Sequence, residues 1–361
     1  MEGIYFIRQN NPVHPLSTSN GFLITPSAIK GGNNTDFQES LLLDVNIEEV
    51  GWISLRNFCY DSDIPLPTKL IMSHCHLDHS SHVHLFVEIF GGQVYAPAPE
   101  VPVILEENGF FEVYQIHEMN EFPDLMDSYH HLKYEILQFG TIPERKVTPY
   151  HIGTVFNYDT IKIETIPLTS HSPGHVGFRI DTPHNEIRIF HNSCLGLDQS
   201  EIESKDGPPK DGFGPWYGFK ASKLNSYLKD IDKSEEILQD CDILTSSHGI
   251  IYYKSRFKMR PIHGKTDFVR TLPESSELES PFEYMNRKIH ERETKIVSAL
   301  EKLGFQKTDI PNILKSEQTL RNLLDLDLIY SKYRIPSKQL AAYKFWERYL
   351  IINNLKHLTT Q

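Results

Sequence analysis

Residues 69–92 read KLIMSHCHLDHSSHVHLFVEIFGG. The segment opens on an apolar run, KLIM, and closes on Val83, Phe86, Val87 and Phe90 ahead of Gly91. Apolar residues three and four apart mark one face of a helix, and glycine is a common helix stop. A serine at the start of SSHVHLF predicts a cap for that helix. Between the strand and the helix lie His74, His76, Asp78 and His79. On an extended segment side chains alternate, so His74 and His76 point to one side. Asp78 and His79 come where the chain curls into the helix and can present two more donors. Imidazole nitrogens suit zinc and similar ions. The cluster sits at the carboxyl end of a strand, where α/β sheets place their sites. That combination points to a metal centre rather than to a polar surface turn.

Working outward, the first 60 or so residues read as short strands broken by turns. GFLITP (21–26) and SLLLDVNI (40–47) are apolar runs separated by GGNNTDF (31–37). VYAPAP (94–99) is a further strand, and ILQFG (136–140) a candidate one within the poorly patterned stretch 100–158, which is expected to wall the substrate pocket. TIKIETIPL (160–168), HVGFRID (175–181) and EIRIFHNS (186–193) alternate apolar and polar residues as strands do. DQSEIESKDGPPKDGFGPW (198–216) is a Gly/Pro-rich loop. A helix follows over 220–240, with Leu224, Leu228 and Ile231 on one face, and then the strand CDILTSSHG (241–249). Residues 265–282 shift to a linker composition, TLPESSELESP. Beyond it, 290–304, 316–330 and 337–358 are helical. Two domains are expected: a catalytic one over 1–265 and a small helical one over 283–361.

Whole-chain properties narrow the field. A net charge of −12 argues against nonspecific nucleic-acid binding, which needs cations to neutralise phosphates. No run approaches a membrane span. Met1 leads into EGIYFIRQNNPVHP, with no basic segment ahead of a long apolar one, so no signal peptide is expected. Cys59, Cys75, Cys194 and Cys241 form no CxxC pair. A cytoplasmic, reducing location is the default expectation.

The sequence resembles the metallo-β-lactamase superfamily, whose signature H-x-H-x-D-H is complete as His74-x-His76-x-Asp78-His79. LTSHSPGHVGF (168–178) is similar to its next histidine element, with His171 at the ligand position and His175 as a support or substrate-side residue. SSHG (246–249) is similar to the last, with His248 as the ligand. The resemblance spans residues 15–260 or so. It implies a four-layer αββα sandwich, an α/β fold, followed here by a helical tail that loosely resembles a winged-helix-like ending. It also implies two ions, one on His74, His76 and His171 and one on Asp78, His79 and His248. Zinc is expected, with iron or manganese as alternatives. Asp78 would orient and deprotonate a nucleophilic water.

One position departs from that pattern. The family's bridging aspartate follows a strand, and here the text is RIFHNSCLGLD. Aligning on Phe190 puts Ser193 there, and shifting by one puts Cys194. Thiolate is a good zinc ligand, so Cys194 is a candidate, against an inert buried cysteine and against Asp198 or Asn192. One ion or two is therefore open. His191 and Asn192 are candidates for substrate contact or for supporting the ligands. Trp216 and Tyr217 are candidate substrate contacts, His82 and His84 read as packing or surface residues, and His130 and His131 receive no role. The function expected is hydrolysis of a small ester or thioester, as in hydroxyacylglutathione hydrolases. A phosphodiesterase or endoribonuclease and a mononuclear-iron sulfur oxygenase are the alternatives. The expected partner is a small molecule, nucleic acid is not favoured, no membrane is involved, and self-association is left open.

Overall fold

Two sheets form from the apolar runs. The first holds β1 (Ile4–Ile7), β2 (Gly21–Ile24), β3 (Ser40–Leu43), β4 (Pro67–Ile71), β5 (Gln93–Pro97) and β6 (Val147–Tyr150), in that order. The second runs from β7 (Val155–Tyr158) through β8 (Ile161–Pro167), β9 (Val176–Asp181), β10 (Arg188–His191), β11 (Ile243–Thr245) and β12 (Ile251–Tyr253) to β13 (Val269–Thr271). The computed structural model describes residues 3–7, 18–26, 39–117, 126, 129–130, 133–134, 140–158, 160–182, 187–196, 214–220, 222–248, 251–253, 269–271, 281–324, 326, 328–329 and 340–360. The core of ILQFG, Asp198, His131 and most of the loop 198–216 lie outside them.

Alternation along the strands explains the layering. Phe22, Leu43 and Ile71 of the first sheet pack against Phe178, Ile189 and Ile243 of the second. Their neighbours Leu23, Leu42 and Leu70 point the other way, onto Trp52, Leu55 and Phe86. A strand covered on both faces reads as an unbroken apolar run, which is why SLLL shows no polar alternation. The outer face of the second sheet offers Leu168, Phe190 and Leu244 to a third cluster that includes Tyr227, Ile289, Trp346 and Leu350. Helices thus cover both outer faces, and the four-layer αββα arrangement expected from the sequence is the one observed.

The covering helices are α1 (Glu49–Asp61), α2 (Leu77–Ser80), α3 (Val83–Phe90), α4 (Val101–Leu105), α5 (Gly109–Val113), α6 (Leu224–Gln239), α7 (Pro281–Lys302), α8 (Ile310–Ile313), α9 (Glu317–Leu324) and α10 (Leu340–Leu358). Helix α1 corrects the reading of the first 60 residues as strands and turns. Its buried residues Trp52, Leu55 and Cys59 follow a helical spacing. Ser80 and Ser81 do not cap α3, whose N-cap is His82, but its stop is Gly91 in the left-handed conformation, as expected. The stretch read as a linker contains β13, which pairs in parallel with β12. Helices α7 to α10 share a continuous apolar cluster with α6 and the second sheet. Among the described residues no helix is long and apolar enough to cross a membrane.

Candidate metal centre

Five chain segments meet at one end of the sandwich. After β4 the chain carries Ser73, His74, Cys75 and His76 into α2, which holds Asp78 and His79. The turn between β8 and β9 carries His171 and His175, the end of β10 leads to Ser193 and Cys194, and the end of β11 leads to His248. The end of β3 supplies Asp44.

The rings of His74, His76 and His171 converge, with centroids 4.5 Å (74–76), 4.5 Å (76–171) and 5.0 Å (74–171) apart. Each Nε2 is buried and has no hydrogen-bond partner among the described residues. Three buried, orphaned imidazole nitrogens on neighbouring rings are costly unless an electrophile takes their lone pairs. For His171 the tautomer follows from its neighbour. Nδ1–H donates to the Trp216 carbonyl at 2.9 Å, which leaves Nε2 with its lone pair. Burial pushes the His171 pKa down to about 4, against the pull of that carbonyl bond. Burial, and then the neighbouring histidines, push His74 and His76 well below the usual histidine range. All three are neutral, ligand-ready imidazoles at neutral pH.

Beside them lies a second group, Asp78, His79, Cys194 and His248, whose ligand atoms fall within 4.8 Å of one another. His248 Nε2 is 2.6 Å from Asp78 Oδ2, and His79 Nε2 is 3.0 Å from Cys194 Sγ. Burial pushes the Asp78 carboxyl up, but the charge of His79 and the bond from His248 hold it well below the usual carboxylate range. Cys194 also groups with His74 and His171 within the same 4.8 Å. Its sulfur therefore lies within reach of donors from both sets. Ser193 does not take that place: its hydroxyl turns inward to Asp44 Oδ2 at 3.0 Å and to Ser73 Oγ at 2.7 Å. The donors that lie within 4.8 Å of one another form three overlapping sets, His74–His76–Asp78, His74–His171–Cys194 and Asp78–His79–Cys194–His248, a donor chemistry that fits a divalent ion.

Sequence reasoning missed Asp44. It is fully buried at the end of β3 and accepts from five groups. Oδ1 takes His79 Nδ1–H at 3.0 Å and the Ser73 backbone N–H at 2.8 Å; Oδ2 takes His191 Nε2–H at 3.0 Å and the Ser193 and Ser247 hydroxyls at 3.0 and 3.2 Å. Burial pushes this carboxyl up, but the charge of His79 and the bonds from His191 and His79 hold it well below its usual range. Asp44 and Ser193 both adopt positive φ, at 57° and 53°, a strained conformation for side-chain-bearing residues that the shared bonds hold in place. The available signal was an aspartate ending an apolar strand, SLLLD.

The remaining candidates fall into place around this frame. His191 is fully buried with both ring nitrogens engaged, Nε2 on Asp44 and Nδ1 on Thr245 Oγ1, so it supports His79 through Asp44. His175 donates Nδ1–H to the Leu168 carbonyl and accepts the Cys194 backbone N–H at Nε2, 3.4 Å away. Burial and the nearby His171 push its pKa well down. Asn192 is buried, and neither its amide oxygen nor its amide nitrogen has a partner among the described residues. Tyr217 is packed against Tyr227 in the interior, and Trp216 holds His171 through its carbonyl. His84 packs beside Gly140, in the helix layer.

Two solved structures resemble the chain over nearly its whole length. A beta-lactamase domain protein from Burkholderia ambifaria matches with a TM-score of 0.57 at 13% identity, covering 100% of this chain and 87% of its own. A metallo-beta-lactamase family protein from Thermus thermophilus matches with a TM-score of 0.55 at 14% identity, covering 99% of this chain and 94% of its own. No family model matches the chain, and no curated protein does.

Proposed function

The chain has the metallo-β-lactamase fold, and on that fold we propose a metal-dependent hydrolase that acts on a small ester or thioester. One observation carries the reading: the rings of His74, His76 and His171 lie with centroids within 5.0 Å of one another, and their three buried Nε2 atoms lack a hydrogen-bond partner among the described residues. A bound divalent ion, zinc in the first instance, would supply Lewis acidity and make water acidic near neutral pH. The residues do the rest. His74, His76 and His171 would hold one ion and Asp78, His79 and His248 the other, with the Cys194 sulfur within reach of both sets. Asp78 stays ionised, oriented by His248, and is the group able to align a water and accept its proton.

The surroundings favour an uncharged acyl substrate. The His76 ring is flanked by Tyr114 at 4.6 Å and Phe219 at 4.7 Å, an apolar aromatic wall. A nucleic-acid substrate would call for cations on the phosphates, and the chain carries a net charge of −12. The test is metal analysis of the purified protein, followed by assays on thioesters, lactones and phosphodiesters. One or two equivalents of metal are expected, with ester or thioester turnover that a chelator removes and added metal restores. Turnover indifferent to metal removal would falsify the proposal, and turnover of phosphodiesters alone would move it to the nuclease alternative. Stoichiometric iron with thiol-dependent oxygen uptake would move it to the oxygenase.

A further inference from the structure

We propose that Glu100 is a positioning residue for the metal centre, a buried strut that sets the spacing between the His74–His76 segment and the His171–His175 segment. The inference rests on the metal reading above. Glu100 closes the short 3-10 turn Ala98–Glu100 that follows β5, and it is fully buried. Its carboxylate makes four hydrogen bonds, divided between its two oxygens. Oε2 accepts the Cys75 backbone N–H at 2.6 Å and the Tyr114 hydroxyl at 2.7 Å. Oε1 accepts the Ser172 hydroxyl at 2.5 Å and the Gly174 backbone N–H at 2.6 Å.

The identity of those donors gives the carboxylate its role. Cys75 is the residue between His74 and His76. Ser172 and Gly174 lie between His171 and His175. The first segment extends from the first sheet and the second from the second sheet; the Val176 N–H donates to the Ser73 carbonyl at 3.1 Å at the base of this junction, and the strut joins the ligand-bearing turns beyond it. Tyr114 adds a further contact, since its ring stands against His76 while its hydroxyl holds Glu100. The approach is close enough that a Cβ on Gly174 would lie 2.7 Å from Pro97 Cβ and 3.1 Å from Glu100 Cγ. An ionised carboxylate is an acceptor on both oxygens, and here both are saturated by charge-assisted bonds. A glutamine would keep the shape but turn an NH2 towards two of the four donors. Ligand distances in a metal site tolerate only about 0.2 Å, so a loosened strut is read directly in affinity.

The experiment uses the full-length apo protein. Zinc affinity is measured by chelator competition, and cobalt is added to record its ligand-field spectrum, for wild type, Glu100→Gln, Tyr114→Phe and Ser172→Ala. Leu55→Ala, in the core beneath α1, is the control for general loss of stability. Glu100→Gln is expected to weaken the tighter site by about 10–100-fold and to alter the cobalt bands. Tyr114→Phe and Ser172→Ala keep the carboxylate and are expected to act in the same direction by smaller factors. Leu55→Ala lowers the melting temperature and leaves affinity unchanged. If Glu100→Gln does not fold, the two single-donor variants decide. Folded variants with wild-type affinity and wild-type spectra overturn the strut. A wild-type protein that binds no ion overturns the metal reading itself.

Discussion

His79 Nε2 and Cys194 Sγ lie 3.0 Å apart, although the two residues are separated by 115 positions in the chain. Asp44 fixes the histidine end of this pair, because its Oδ1 accepts Nδ1–H and leaves Nε2 bare towards the sulfur. His175 fixes the other end through the Cys194 backbone N–H. The thiol is thus held among imidazoles at the centre of the candidate site.

Cys194→Ser tests this pairing. The hydroxyl is a poorer ligand for a soft ion than a thiolate. The variant is expected to lose about one equivalent of metal on dialysis and to keep the ion of the three-histidine set. Unchanged stoichiometry by elemental analysis would return Cys194 to the packing role.

Asp78→Asn removes the ionised carboxylate and keeps its shape. Turnover is expected to fall by roughly 10²–10⁴-fold, the range for loss of a positioned general base. His76→Ala is expected to abolish turnover and lower metal content as well. Wild-type rates in either variant would remove the mechanism.

Asp44→Asn tests the buried hub. Asparagine tolerates the positive φ at this position, so backbone strain is not the variable. Its NH2 cannot accept, so depending on how the amide turns, either His79 Nδ1–H and the Ser73 N–H, or His191 Nε2–H with the two serine hydroxyls, lose their acceptor. A loss of about 2–4 kcal/mol is expected in denaturant unfolding of the apo protein, with weaker metal binding at the His79 set. A change below about 0.5 kcal/mol would show that the five bonds are not needed.

Acid should destabilise the apo protein. His171 titrates at about 4 in the fold against 6.5 for an unperturbed histidine, and His74 and His76 are lowered too. Between those values the unfolded chain binds protons that the native state refuses, so stability falls as pH drops from 6.5 towards 4. For His171 alone the effect is on the order of 3 kcal/mol. Asp44 and Asp78, both lowered, add their losses only below the unfolded carboxylate value of 3.8. Melting curves of the chelated protein from about pH 8 to 4 should show this decline, and a flat profile over roughly pH 6.5–4.5 would contradict it.

Much of the site was legible because its ligand-bearing residues are local in sequence. His74, His76, Asp78 and His79 occupy one strand-to-helix junction, and strand alternation and helix spacing place them without any tertiary knowledge. The strands over 160–193 were equally plain, since their periodicity is a property of the segment. Helix α1 was harder to read, because its apolar residues are not confined to the buried face: Val50, Ile53 and Tyr60 are exposed. Asp44 and Glu100 were missed for a different reason. A single carboxylate has no period, and its importance comes only from the donors that surround it.

By itself, then, the order of residues determined the layered α/β architecture and the two ends of the ligand series, because burial periodicity and ligand spacing are written along the chain. Only the folded molecule shows Ser193 turned inward to Asp44 and Ser73, and Cys194 turned towards His79. Their neighbouring positions differ by which side of a left-handed turn each side chain leaves from, and that is set by contacts to Asp44, Ser73 and His175 arriving from elsewhere. The same holds for the two buried carboxylates: an unsolvated charge is tolerable only where distant segments bring it enough donors, and no local pattern records that meeting.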